Sequence, residues 1–303
     1  MKIVSNFLFF DEFDLLEIKL ATEYDHVDKF VIIESDHTFT GVYKGYNLPT
    51  QIERYAQWWD KVTYVQIGKS PMNDAWSTEH WNREHFYYQW ADLTNEDIVI
   101  SADLDEIVRP ETFKFMRETD YQNYQIGTPY FSYKFNNMMV DKGTTLQWSP
   151  WHRMVASRGI FVKTEGMRNF WPGRYPNQHL PRVKTAWLHH GGWHFSNVMD
   201  NARLIKKTQS FSHTDWNVPS VLSNIDIDLL VNRGAAHWPS ETEIKFAQVK
   251  LDDYFPKYIV DNQEKFKEYI ASDGELSVKD IIPGNIPQIL EGTDLSIMRD
   301  NKL

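Results

Sequence analysis

Asp97-Ile98-Val99-Ile100-Ser101-Ala102-Asp103-Leu104-Asp105-Glu106-Ile107 carries the clearest signal in the chain. The apolar run from Ile98 to Ile100 reads as a short buried strand. It runs straight into two aspartates one residue apart. Side chains at i and i+2 lie on the same side of an extended chain, so Asp103 and Asp105 can aim their carboxylates at one point. That point lies beyond the carboxyl end of a strand, where open α/β sheets bind ligands. Two hard oxygen donors there suit Mg²⁺ or Mn²⁺, which keep open positions for phosphate oxygens. The local reading is a metal ion that holds a diphosphate.

Two aspartates at this spacing occur by chance about once in a chain of this length. Asp226-Ile227-Asp228 has the same spacing and serves as an internal control. It follows Ser223-Asn224 and precedes Leu229-Leu230-Val231, the pattern of a capped helix start. Negative charge in a first helical turn offsets the helix dipole, so the second pair reads as structural. The first pair has a strand before it and no capping pattern, so it reads as functional.

Outward from the motif, strands alternate with helices. Met1 to Phe10 reads as a first strand. A helix from Glu12 to about Tyr24, capped by Asp11, places Phe13, Leu16 and Leu20 on one face. Phe30–Glu34 and Lys61–Ile67 read as the next two strands. Ser77 opens a helix to about Leu93, with Glu79 and Arg83 as an i, i+4 pair. The alternation predicts an α/β fold: a Rossmann-type, mostly parallel sheet with flanking helices. Neither G-x-G-x-x-G nor a P-loop is present. The middle, about Tyr124 to Phe195, is aromatic and irregular. Tyr124–Phe135 and Ile160–Lys163 read as strands there, and the stretches 148–153, 170–176 and 191–196 as loops. Loops this aromatic form binding surfaces, and Trp148, Trp151, Trp171 and Trp193 are candidates for stacking on sugars. Beyond Asn197 the pattern is helical over about 198–211, 220–232 and 241–270, with a break at Pro256. We expect one continuous catalytic unit over 1–303. In it, 1–110 reads as a nucleotide-binding half, 111–240 as a second half and 241–303 as a helical extension and tail; the resemblance given below implies that the first binds a nucleotide sugar and the second holds the acceptor and catalytic groups.

The chain has 303 residues and a formal net charge of −10, which argues against nucleic acid or anionic lipid as a partner. With no cysteine, disulfides and thiolate zinc sites are excluded. The N-terminus reads as a strand, not as a leader, and no run has the length of a transmembrane helix. A cytoplasmic protein, of a bacterium or a virus-infected host cell, is the expectation.

Four strings add a resemblance. They are 9–20 (FFDEFDLLEIKL), 27–35 with 38–41 (VDKFVIIES, TFTG), 97–107, and 191–196 (GGWHFS). Together, and in this order, they resemble glycosyltransferase family 17, the β-1,4-mannosyl-glycoprotein β-1,4-N-acetylglucosaminyltransferase family. The resemblance implies a GT-A-like fold, a nucleotide-sugar donor (UDP-GlcNAc in animal members), a divalent metal, Mn²⁺ or Mg²⁺, and inversion at the anomeric carbon. Under it, Asp103 and Asp105 hold the metal against the donor diphosphate, with His194 as third ligand. A packed histidine is the competing reading for His194, and a zinc site with His189 and His190 is a remote one.

Arg83 can reach the diphosphate or can be an exposed partner of Glu79. Glu34, at a strand end, can accept from the uracil or ribose. Arg153, Arg168 and Arg174 are further phosphate contacts to weigh. Inversion needs a general base, and Glu165, Asp141, His190 and Glu106 remain open. Two other functions compete: a non-catalytic glycan-binding protein, which explains the tryptophans but not the metal motif, and a haloacid-dehalogenase-type phosphatase. The latter wants its aspartates near the N-terminus with Thr or Val following, whereas Glu106-Ile107 follows here.

Overall fold

A computed structural model describes residues 1–88, 92–140, 151–165, 184–239, 244–282 and 286–290. Its strands, in chain order, are β1 (Ile3–Leu8), β2 (Lys29–Ser35), β3 (Val62–Ile67), β4 (Ile98–Ser101), β5 (Glu106–Val108), β6 (Asn123–Thr128), β7 (Tyr130–Ser132), β8 (Asn137–Val140), β9 (Trp151–Arg158), β10 (Thr185–His189), β11 (Gly192–Ser196), β12 (Lys245–Gln248) and β13 (Gln288–Leu290). The helices that position the site are α1 (Phe13–Glu23), α2 (Ala75–Tyr88), α3 (Pro110–Glu118), α4 (Gly159–Glu165), α5 (Asn201–Ser210), α6 (Pro219–Leu222) and α7 (Ile227–Arg233).

The larger sheet has the order β13-β10-β6-β9-β4-β1-β2-β3. β4, β1, β2 and β3 are parallel neighbours, as are β6 and β10. β9 and β13 run against their neighbours. The expected α/β architecture is therefore present, with a mixed sheet whose parallel part centres on the first four strands. Those strands read as unbroken apolar runs because helices cover both faces, and β1 and β2 are buried almost throughout. Because β1, β2 and β4 are mutually parallel, their carboxyl ends open onto one edge. Phe9 and Asp103 follow the ends of β1 and β4, and Ser35 closes β2.

A second sheet, β12-β8-β7-β11-β5, grows directly out of the motif. β5 begins at Glu106 and pairs antiparallel with β11, so that His194 stands opposite Glu106. The stretch 191–196, expected as a loop, is this strand. Its two glycines are a packing requirement: a β-carbon on Gly192 would collide with the Ile107 carbonyl oxygen, and one on Gly191 with Ile126.

Other expectations are corrected. Ile160–Lys163 lies in a helix, α4, and Trp151–Arg153 opens a strand, β9; short apolar runs do not distinguish the two states. The helix expected over 241–270 is replaced by β12, which pairs with β8, and by the short helix Lys257–Asp261. The 3-10 helical segment Leu48–Lys61, kinked at Gln51, had no sequence signal. Asp11 does not cap α1; its carboxylate faces Arg203 and Lys206 of α5. Asp74, not Ser77, caps the start of α2 by accepting the Ser77 N–H. No described helix is long and apolar enough to cross a membrane.

The control pair is structural as read, but the cap is Asp226 itself and not Ser223-Asn224. Asp226 is the N-cap of α7 and accepts the Leu229 N–H at 3.1 Å, while Asp228 lies in the first turn. Asp226→Ala is expected to cost about 1 kcal/mol in denaturant unfolding. Ligand binding in the cleft described next should not change, because the pair sits on a different element.

Candidate active site

The carboxyl edge of β1, β2 and β4 forms one wall of a cleft of about 430 Å³, with α2 and α5 on its flanks. That volume is in the range of small-molecule sites. Asp103, Asp105, His194, Arg83 and Lys207 all line it. The strand ends contribute Leu8, Phe9, Phe10 and Ile33 as an apolar floor.

Each charged group has a defined set of neighbours. Asp103 is the more open carboxylate, with its side chain 45% exposed. It accepts a hydrogen bond from Arg83, which also donates to Glu79 at 2.9 Å. The Arg83–Glu79 pair, one of whose readings was an exposed helix pair, is buried and bridges α2 to the motif. Glu79 also accepts the Ser212 hydroxyl. Burial pushes Glu79 up to about 7 against the opposing pull of Arg83, with Asp103 adding to the rise.

Asp105 is buried. Its Oδ1 lies 3.5 Å from His194 Nε2, and its Oδ2 lies 3.4 Å from Lys207 Nζ. Burial works to raise the Asp105 pKa, but Lys207 and His194 outweigh it and hold the carboxyl well below the usual range. Burial works to lower the His194 pKa, but Asp105 and then Glu106 overcome it and favour the imidazolium. Glu106, directly under the turn, accepts the Asp103 N–H at 2.8 Å. Burial, together with Asp103, pushes Glu106 up to about 7. Among the described residues, no three His, Asp or Glu side chains already form a group that could hold a metal ion.

Three expected site residues lie elsewhere: Glu106, fully buried beneath the motif, and Glu34 and His190. Glu34 is fully buried and accepts from Lys44, Tyr64 and the N–H groups of Asn47 and Leu48, so it holds the segment after β2 in place. His190 adopts a left-handed backbone conformation, φ 56°, at the turn from β10 to β11. It bonds the Tyr254 hydroxyl at 2.9 Å, and its carbonyl accepts from Arg109. Burial, with Arg109 nearby, lowers it to about 4. None of the three lines the cleft.

Trp193 is buried under the Arg109 guanidinium, 3.9 Å from its ring, and offers no sugar-stacking face. Asp141, Arg168, Arg174, Trp148 and Trp171 lie outside the described residues, as do the side chains of Arg153, Trp151 and Glu165.

The structure adds residues that sequence reasoning missed. Lys207 falls in the helical stretch expected over about 198–211 and carried no reading of its own. Glu12, which also lines the cleft, had read as the start of α1. Burial raises the Glu12 pKa, Lys207 opposes the rise, and Asp11 and Asp105 reinforce it. An aromatic rim is formed by Trp76, Phe211, His213 and Trp216. Within it, the rings of His213 and Trp216 stack at 4.4 Å, and Trp76 meets His213 edge-on at 4.8 Å.

Comparison with known proteins follows the same lines. No curated protein matches the chain. Two solved structures of the glycosyltransferase GlyE from Streptococcus pneumoniae TIGR4 are similar to it. The apo form is 13% identical, covers 61% of this chain and 45% of its own, and has a TM-score of 0.28. The second is 12% identical, covers 90% of this chain and 66% of its own, and has a TM-score of 0.32. The chain thus spans less than two thirds of the length of either. The model of glycosyltransferase family 17 matches residues 1–237, which hold both aspartates of the motif, Arg83, His194 and Lys207. With 237 of 303 residues matched, the chain belongs to glycosyltransferase family 17.

Proposed function

We propose that the protein is a metal-dependent, inverting glycosyltransferase that moves a sugar from a nucleoside-diphosphate donor onto a hydroxyl of a glycan acceptor. UDP-GlcNAc is the first donor to test. The observation that carries this reading is the convergence of Asp103, Asp105, His194, Arg83 and Lys207 on one ligand-sized cleft at the carboxyl ends of β1, β2 and β4.

Although no three-ligand group is already assembled among the described residues, Asp105 and His194 are donors of the kind that suit a divalent ion. Asp105 Oδ1 and His194 Nε2 are 3.5 Å apart, close to the roughly 3 Å expected between neighbouring ligands of an octahedral ion with bonds of about 2.1 Å. Asp103 offers a more open carboxylate on the same wall. These three residues would hold Mn²⁺ or Mg²⁺, which would supply positive charge to the donor diphosphate.

The chain's own groups do the rest. Arg83, fixed between Glu79 and Asp103, presents a guanidinium that matches phosphate geometry. The apolar floor of Phe9, Phe10 and Ile33 suits the face of a nucleobase. The acceptor proton needs a base whose pKa lies near the working pH. Glu79, in the cleft wall and pushed up to about 7, is the carboxylate that suits that role.

A thermal-shift panel of nucleotide sugars, each with and without Mn²⁺, tests the reading. A ligand at 100 times its Kd adds about 2.7 kcal/mol of stability. We expect a metal-dependent rise in Tm with one UDP-sugar. A flat panel with metal present would refute the transferase reading and favour a glycan-binding protein.

A further inference from the structure

Lys207 is the one cleft cation that reaches the motif from α5. The helix is fixed from both sides. Asp200 caps it by accepting the Arg203 N–H at 2.9 Å, and Leu204 and Thr208 anchor its buried face. Arg203 and Lys206 clamp it to Asp11, which follows β1. One turn on, Lys207 Nζ projects into the cleft, 3.4 Å from Asp105 Oδ2 and 3.7 Å from Glu12 Oε1. Its side chain is only 18% exposed.

The clamp on Asp11 is already made by two cations, so a third is not needed to hold the helix. Neither of its contacts to a carboxylate is a close one: charge-assisted bonds of this kind run to about 2.7–2.9 Å. The ammonium donates one long hydrogen bond to Asp105 Oδ2, at 3.4 Å, and is held at a distance from both carboxylates at which it can also serve an anion in the cleft.

We propose that Lys207 takes up the charge on the departing nucleoside diphosphate, an inference that rests on the donor reading above. In the transfer step, the acceptor oxygen forms a bond to the anomeric carbon. The bond from that carbon to the β-phosphate oxygen breaks, and its electron pair stays on the phosphate. The acceptor proton passes to a carboxylate base. The diphosphate therefore gains one negative charge as the bond breaks. A cation preset at that point stabilises the transition state more than the ground state.

The test is calorimetric binding of UDP and of uridine, with Mn²⁺ present, to the wild-type protein and to Lys207→Gln, alongside steady-state turnover. Loss of one charge-assisted contact should weaken UDP binding roughly 10- to 100-fold and leave uridine binding unchanged. The kcat should fall about 100-fold or more. Lys207→Arg should recover part of both. A Lys207 that only braces α5 would lower Tm while the ratio of UDP to uridine affinity and kcat stay as in the wild type, and that result overturns the proposal.

A crystal structure of the wild-type protein with UDP and Mn²⁺ decides the point even if the variants fold poorly. Nζ should lie about 2.8 Å from a β-phosphate oxygen. An ammonium still on Asp105 and Glu12, with no phosphate contact, overturns the proposal. Absence of UDP binding to the wild-type protein would instead refute the donor reading itself.

Discussion

Asp103→Asn should lower sugar transfer by about a thousandfold or more while the protein stays folded. The substitution keeps size and shape and removes one negative charge. At this position the charge has little to do with stability. The side chain is 45% exposed, and its partner Arg83 retains Glu79. An ion pair that open contributes about 0–1 kcal/mol. The backbone N–H of Asp103, which donates to Glu106, is untouched.

Under the proposed mechanism the same charge would help hold the metal against the diphosphate, so Mn²⁺-dependent UDP binding should weaken together with turnover. Asp105→Asn is a less clean probe. Asp105 is buried between His194 and Lys207, and its neutralisation would leave Lys207 without its carboxylate and remove the charge that favours the His194 imidazolium. Asp226→Asn, at the same spacing on α7, supplies the matched control, since asparagine also caps helices. Turnover of Asp103→Asn equal to that of the wild type would rule out the metal assignment.

The parts of this site that were legible in the sequence are those whose meaning is local. Ile98–Ile100 followed by Asp103 and Asp105 can be read as a strand and its end because both periodicities sit within eleven residues. Asp226 and Asp228 can be read as belonging to a helix start for the same reason, although the cap proved to be Asp226 and not Ser223-Asn224. His194 was nameable from its string. Its place opposite Glu106 was not, because it depends on β5 pairing with a strand nearly ninety residues later.

Lys207 was illegible for a related reason. A lysine in a last helical turn looks like a dipole complement, and only the docking of α5 onto the segment after β1 brings it to Asp105. Glu34 misled in the opposite direction. A carboxylate at a strand end is well placed for a ribose, but Lys44, Tyr64 and two backbone N–H groups already bind it. Partners ten to thirty residues away in sequence had consumed a group that looked free. The helix expected over 241–270 failed because β12 finds an edge strand, β8, whose pairing outweighs local propensity.

The largest effect on stability is expected away from the cleft, at Lys19. Both Lys19 and Glu23 on α1 are fully buried, on a helix that otherwise packs Leu15, Leu16, Ile18 and Leu20 into the core. Their partners explain the placement. Lys19 Nζ donates to Glu23 Oε1 at 3.0 Å and to the Glu106 carbonyl at 2.6 Å. Glu23 in turn accepts the Val108 N–H at 2.8 Å and the Ser5 hydroxyl at 3.0 Å. The pair therefore satisfies one backbone acceptor and one backbone donor of β5, whose other neighbour is β11. In effect, α1 supplies through side chains part of what another strand would supply through its backbone, directly behind the motif.

Lys19→Met keeps the length of the side chain but leaves the Glu23 charge and the Glu106 carbonyl buried without a cation. Removing one partner of a buried pair costs about 3–5 kcal/mol, a large share of the roughly 5–15 kcal/mol that keeps a domain folded. Denaturant unfolding of Lys19→Met should show a loss of that size. Lys19→Met with Glu23→Gln should lose less than the sum of the two single changes, because the uncompensated charge is gone. A loss under about 1 kcal/mol for Lys19→Met would mean that water or a repacked neighbour serves Glu23 instead. The pair would then not be what holds β5, and with it the turn carrying Asp103 and Asp105, against the larger sheet.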